Sequence, residues 1–157
     1  MGSSPAGRAI RSEAWIAAPI ASHEGMTAMP PIAQALALVA ALLHVGFFYL
    51  ESIAFSRPRT WARFGLASQA DADVVRPMAI NQGFYNLFLA LGVVGGLVLT
   101  DFATGGAVSA GVGITKFALA CMVLAGAVLL ATGRRFRRAA LIQAVPPALA
   151  LLASVFR

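Results

Sequence analysis

Four long apolar runs, residues 32–55, 78–100, 112–132 and 139–156, occupy most of this chain and decide its fold class. At 1.5 Å rise per helical residue, about 20 residues cross a hydrocarbon core about 30 Å thick. The first three runs are long enough, and arginine flanks that snorkel toward the headgroups let the fourth reach. Inside lipid every backbone N–H and C=O needs an internal partner, so runs of this length must be helices. Only 11% of the residues are charged and 59% are hydrophobic, whereas a soluble domain carries about 25% charge. A polar shell around a soluble core cannot be built from this composition. The expected architecture is all-α: an integral membrane antiparallel four-helix bundle forming a single domain over residues 29–157.

The connections set its orientation. Of the twelve Lys and Arg residues, Arg57, Arg59, Arg63 and Arg76 fall in one connection and Arg134, Arg135, Arg137 and Arg138 in another. Basic clusters between apolar runs mark cytoplasmic loops rather than a basic groove, so the net charge of +6 does not imply a nucleic acid partner. Both termini are then expected outside a plasma membrane, the inner membrane in a bacterium. Trp61, Phe64 and Leu66 among the arginines suit a segment lying on the headgroups. Ser68, three residues before Asp71, is placed to cap a helical turn leading to Pro77. Residues 101–111 read as a glycine-rich loop, and 133–138 as a tight turn joining an antiparallel hairpin. Residues 1–28 read as a disordered leader, or as an over-extended start with Met26 or Met29 the natural first residue. Cys121, the single cysteine, excludes an intrachain disulfide.

Polar residues inside the runs concentrate toward the arginine-bearing end. Counted from that end, Glu51, Asn81, Gln82 and Gln143 lie about 5–7 Å deep, and His44, Tyr85 and Asn86 about 11–17 Å deep. His44 and Glu51 are seven residues apart and share a helix face. Asn81 and Tyr85, and Gln82 and Asn86, form two adjacent stripes with Gly83 between them. Pro146 and Pro147 free the carbonyls of Ile142 and Gln143. These groups are costly in hydrocarbon without partners. Each also has a purely structural role open to it. The amides serve as interhelical glue, His44 as a neutral hydrogen-bonding residue, and Glu51 as a partner of Arg57, Arg59 or Arg76. Gly92 and Gly96 form a small-xxx-small pair suited to helix packing or to homo-oligomer formation, and Lys116 reads as a snorkelling anchor.

No phosphate loop, His-Glu-x-x-His motif or nucleophile elbow is present. His44 and Glu51 alone do not make a metal site, so neither metal nor cofactor is expected. The segments LHVGFFYLE (43–51), FGL (64–66), NQGFYNLFLA (81–90) and QAVPPALALL (143–152) together resemble the domain-of-unknown-function 1304 family of small membrane proteins. The resemblance implies four spans and brings no established activity. The chain departs from the family pattern in having Leu43 before His44, where an acidic residue is frequent. It also lacks an aromatic residue near 125–128.

Three functions fit the pattern. In the first, His44, Glu51, Asn81, Gln82, Tyr85, Asn86 and Gln143 line a polar pocket that binds or moves a small molecule. In the second, His44 and Glu51 perform acid–base chemistry on a lipid-like substrate. In the third, the polar residues only lock an accessory subunit. The lipid bilayer is the partner common to all three.

Overall fold

The computed structural model describes residues 29–156, so the leader expected over 1–28 lies outside the described residues. The described chain is helical. Pro31–Phe48 forms α1 and runs directly into a π-helical turn, Tyr49–Ile53. A short helix α2, Pro58–Trp61, and a 3₁₀ turn, Ala62–Phe64, lead to α3, Gln69–Phe102. Gly106–Thr132 forms α4, a 3₁₀ turn covers Arg134–Phe136, and Arg137–Ala153 forms α5. Four helical stretches are long and apolar enough to cross a membrane. They close a ring in which α3 packs on α1 and α4, and α5 packs on α4 and α1.

Two expected boundaries move, each for a local reason. Pro77 does not separate a short turn from the second span but lies inside one continuous α3. The carbonyl its missing N–H leaves free is that of Asp73, an exposed residue whose backbone water can serve. The glycine-rich 101–111 loop contracts to residues 103–105, with Gly105 at φ 59° making the reversal and α4 beginning at Gly106. Pro146 and Pro147 sit within an unbroken α5. The Ser68 cap forms as its spacing predicts: Oγ accepts from the Asp71 N–H at 3.1 Å and donates to the Asp71 carboxylate at 2.7 Å. Ser68→Ala should cost about 1 kcal/mol, read as faster hydrogen exchange confined to the first turn of α3. Equal loss of protection throughout the bundle would contradict that local role.

The bundle is small inside and large outside. The inward stripe of α1 is Ala33, Ala37, Ala40, Ala41 and His44, all buried, at i, i+4, i+7, i+8 and i+11. It meets Val93, Leu119, Met122 and Ala150 in the central core. Leu42, Phe88, Phe117 and Leu124 face outward, each more than half exposed. Water would penalise that distribution. Lipid does not, and small interior residues then gain van der Waals contact by letting backbones approach.

Glycine makes that approach possible at three seams. A Cβ on Gly96 would collide with Thr115 Oγ1 and lie 2.8 Å from the Gly111 carbonyl oxygen. A Cβ on Gly111 would lie 2.6 Å from the Gly96 carbonyl oxygen and 2.7 Å from the Thr100 amide nitrogen. Thr100 and Thr115 donate their hydroxyls to the carbonyls of Gly96 and Gly111, four residues earlier on their own helices, at 2.8 and 3.0 Å. The expected packing role of Gly96 is thus realised against α4, whereas Gly92 makes only ordinary contact with Ala118. Gly126 seats α4 against Ala140 and Ala144 of α5, and Gly83 seats α3 against the π-turn.

At the arginine-bearing end a second cluster forms from Phe55, Ala72 and Ala79, with Trp61, Phe64, Leu66 and Val75 packed on it. The rings of Phe55 and Phe64 stand 5.4 Å apart. This cluster folds α2 and its 3₁₀ turn back onto the start of α3. At the opposite end, Gln34 Nε2 donates to the Met29 carbonyl at 2.9 Å and to Asp101 at 3.3 Å, tying the start of α1 to the end of α3.

Candidate functional site

The π-turn is the local irregularity around which the polar residues gather. Its widened ring closes with the Ala54 N–H donating to the Tyr49 carbonyl, five residues back, at 2.8 Å. Such turns carry one residue more than α-geometry allows, and they recur at functional sites. In an α-helix adjacent side chains diverge by about 100°. Here the neighbours Glu51 and Ser52 both engage α3. Ser52 Oγ donates to the Ile80 carbonyl at 3.0 Å. Asn86 Nδ2 donates to Glu51 Oε2 at 2.8 Å and to the Gln82 carbonyl at 3.2 Å, so both of its N–H groups are used.

Gly83 is what allows the two elements to meet. A Cβ there would strike Ser52 Oγ and lie 3.1 Å from both Glu51 Cβ and the Ser52 amide nitrogen. Depth counting pairs Glu51 with Asn81 and Gln82, and its backbone does lie close to that level, opposite Gly83. Its carboxyl reaches a turn deeper, to Asn86, because a glutamate side chain extends well beyond its Cβ. The carboxyl partner is therefore an amide on α3. Arg57 instead donates to the Tyr49 hydroxyl at 3.3 Å.

His44 lies two turns before Glu51, fully buried at the end of the alanine stripe. Its Nδ1 is 2.8 Å from the Ala40 carbonyl. A carbonyl only accepts, so that contact places the proton on Nδ1 and leaves Nε2 of the neutral ring as a bare acceptor. Nε2 is buried and has no hydrogen-bond partner. The Phe47 ring stands edge-on to the imidazole at 5.4 Å.

The remaining candidates are placed differently. Within the segment 81–86, Gly83 and Asn86 point inward, while Asn81, Gln82 and Tyr85 are exposed on the outer face of α3. Six consecutive helical residues cover more than a full turn and cannot share one face. Phe84, also outward, stands 5.2 Å from the Phe48 ring and 6.1 Å from Phe88. Gln143 is half-buried on α5, which packs on α1 and α4. The structure thus joins Glu51 to Asn86 directly, buries His44 on α1, and leaves Asn81, Gln82 and Tyr85 on the outer face of α3 and Gln143 on α5. Ser52 and the π-turn itself are additions from the structure. The only trace of them in the sequence is a serine beside a carboxylate at the end of a spanning run. Among the described residues no group of three or more His, Cys, Asp and Glu is placed to hold a metal ion.

No curated protein and no solved structure matches the chain. Over residues 38–155, which include α1 from its second turn, the π-turn, α3, α4 and α5, it matches the family described as "Protein of unknown function (DUF1304)". The match spans most of the chain and includes every residue of the candidate site, and the chain belongs to this family of unknown function.

Proposed function

We propose that the protein binds a small polar molecule within the membrane, and that this molecule donates hydrogen bonds to His44 and Glu51. The observation that carries the reading is the buried, partnerless Nε2 of His44. Leaving such an acceptor unsatisfied costs about 1–3 kcal/mol, and intramembrane ionisable residues are functional candidates by default. Both hydrogens of the Asn86 amide are spent, so the groups left to a ligand are acceptors: the imidazole nitrogen and the carboxyl oxygen that Asn86 does not engage. Acceptors of this kind suit amines, alcohols or a protonated group, with Asn86 orienting the carboxyl. Asn81, Gln82 and Tyr85 on the outer face of α3 and Gln143 on α5 lie outside the inner contact in this reading.

Binding is favoured over free permeation through one protomer. In the half away from the arginines, the buried hydroxyls of Thr100 and Thr115 are already satisfied by their own helices. The arginine-bearing end faces the cytoplasm in this proposal, with both termini outside. A reporter fused after the last residue and active only in the cytoplasm would reverse that orientation.

The binding test uses purified protein and a panel of primary amines and alcohols with matched ethers. Donors should raise the unfolding temperature of the wild type, and ethers should not. His44→Leu should lose that response while gaining stability of about 1 kcal/mol, because it removes an unsatisfied buried acceptor. A His44→Leu protein that keeps every ligand response would defeat the proposal.

A further inference from the structure

The two arginine-bearing connections meet on one end of the bundle, and the contact between them is specific. Gly65 closes the Ala62–Phe64 turn in the left-handed conformation, φ 80°, with its N–H donating to the Ala62 carbonyl at 3.0 Å. The Arg135 guanidinium lies over it: a Cβ on Gly65 would sit 3.4 Å from Nη1 and 3.8 Å from Cζ. The same guanidinium carbon stands 4.5 Å from the centroid of the Phe136 ring. Glycine therefore answers two demands at position 65, a left-handed backbone and room for a cation.

Further charge surrounds this contact. Arg63 is two residues from Gly65, and Arg134 is adjacent to Arg135; all three arginines are exposed. With about 3.8 Å between successive Cα atoms, Arg63 and Gly65 cannot be more than about 7.6 Å apart. The nearby carboxylates on α3 are engaged locally, Asp71 by Ser68 and Asp73 by Gln69. Phe64 and Leu66, on either side of Gly65, pack with Trp61 and Phe55 into an apolar floor. A planar cation held against a ring, further guanidiniums beside it and an apolar floor suit a phosphodiester carried by acyl chains. Guanidinium pairs with phosphate oxygens in fork geometry, and basic clusters at the end of a membrane bundle hold acidic headgroups.

We propose that the junction of the two connections, centred on Arg135 over Gly65, binds the headgroup of an anionic phospholipid. This site is separate from the His44–Glu51 cluster and does not depend on its function. The test titrates the detergent-solubilised full chain with phosphatidylglycerol, phosphatidylcholine or sodium phosphate, reading bound lipid by native mass spectrometry and stability by thermal unfolding. Phosphatidylglycerol should bind and stabilise, while the other two should not. Arg135→Gln should weaken binding about fivefold, and the triple change of Arg63, Arg134 and Arg135 to Gln about a hundredfold. Gly65→Ala should weaken it in the same direction with no change of charge. Lys116→Gln, on a different part of the bundle, should leave it unchanged. Circular dichroism confirms that each variant is folded before its affinity is compared. Equal binding of phosphatidylcholine, equal stabilisation by phosphate alone, or full affinity in the triple variant would each overturn the assignment.

Discussion

Gly96→Leu is expected to prevent α3 and α4 from closing, with loss of the folded bundle. Even the first added carbon lies 2.8 Å from the Gly111 carbonyl oxygen and 2.9 Å from the Thr115 amide nitrogen. Those are backbone atoms of a spanning helix, so they cannot swing aside as a side-chain end can. Overpacking in an ordinary core costs about 1–3 kcal/mol, and that range describes Gly96→Ala. Leucine adds three more carbons to a seam with no space for one. Gly111→Leu should behave alike, since the two glycines face each other's carbonyls. Gly95 and Gly113 supply the control on the same two helices, because a Cβ on either meets nothing within 4 Å. Size-exclusion profiles and thermal unfolding in detergent should therefore separate Gly96 and Gly111 sharply from Gly95 and Gly113. Similar behaviour at Gly95 and Gly96 would mean that helix propensity, not close approach, governs these positions.

The second large effect is expected at the Glu51–Asn86 contact. Asn86→Leu removes the carboxyl's hydrogen-bond donor while leaving the carboxyl half-buried between helices. The loss should be about 1–3 kcal/mol, the cost of leaving a buried polar group without its partner. Glu51→Leu combined with Asn86→Leu should recover most of it, because both polar groups leave together. A double-mutant cycle on unfolding free energy measures the coupling. The double variant also separates the two meanings of the contact. A folded, stable double variant that no longer responds to amines or alcohols supports a ligand site. One that keeps the wild-type response would assign the pair to holding α3 against the π-turn and nothing more.

Much of this was legible in the sequence, for identifiable reasons. Membrane insertion, four spans and the all-α class follow from run length and low charge, which need no knowledge of neighbours. The Ser68 cap is a local spacing effect. The boundaries moved where a residue's cost depends on its surroundings. Pro77 is tolerated because Asp73, whose carbonyl loses its partner, is exposed, and most of the 101–111 glycines join α4 because only three residues are needed to reverse the chain.

By itself the sequence determined which groups are too polar to face lipid alone and that they cluster toward one end. Hydrophobicity and helical rise are properties of single residues and single helices. Which of those groups meet was decided only by the tertiary structure. The π-turn brings Glu51 and Ser52 to α3, Gly83 admits them, and Asn86 is chosen over Asn81, Gln82 and Tyr85 because it lies on the inward face. His44 shares α1's alanine stripe in the sequence, but only the packed bundle closes around its Nε2 and leaves it without a partner. Arg135 lies 70 residues from Gly65 in the chain, and no local rule links them. Only the packing of one connection against the other puts the guanidinium where a side chain would otherwise have been.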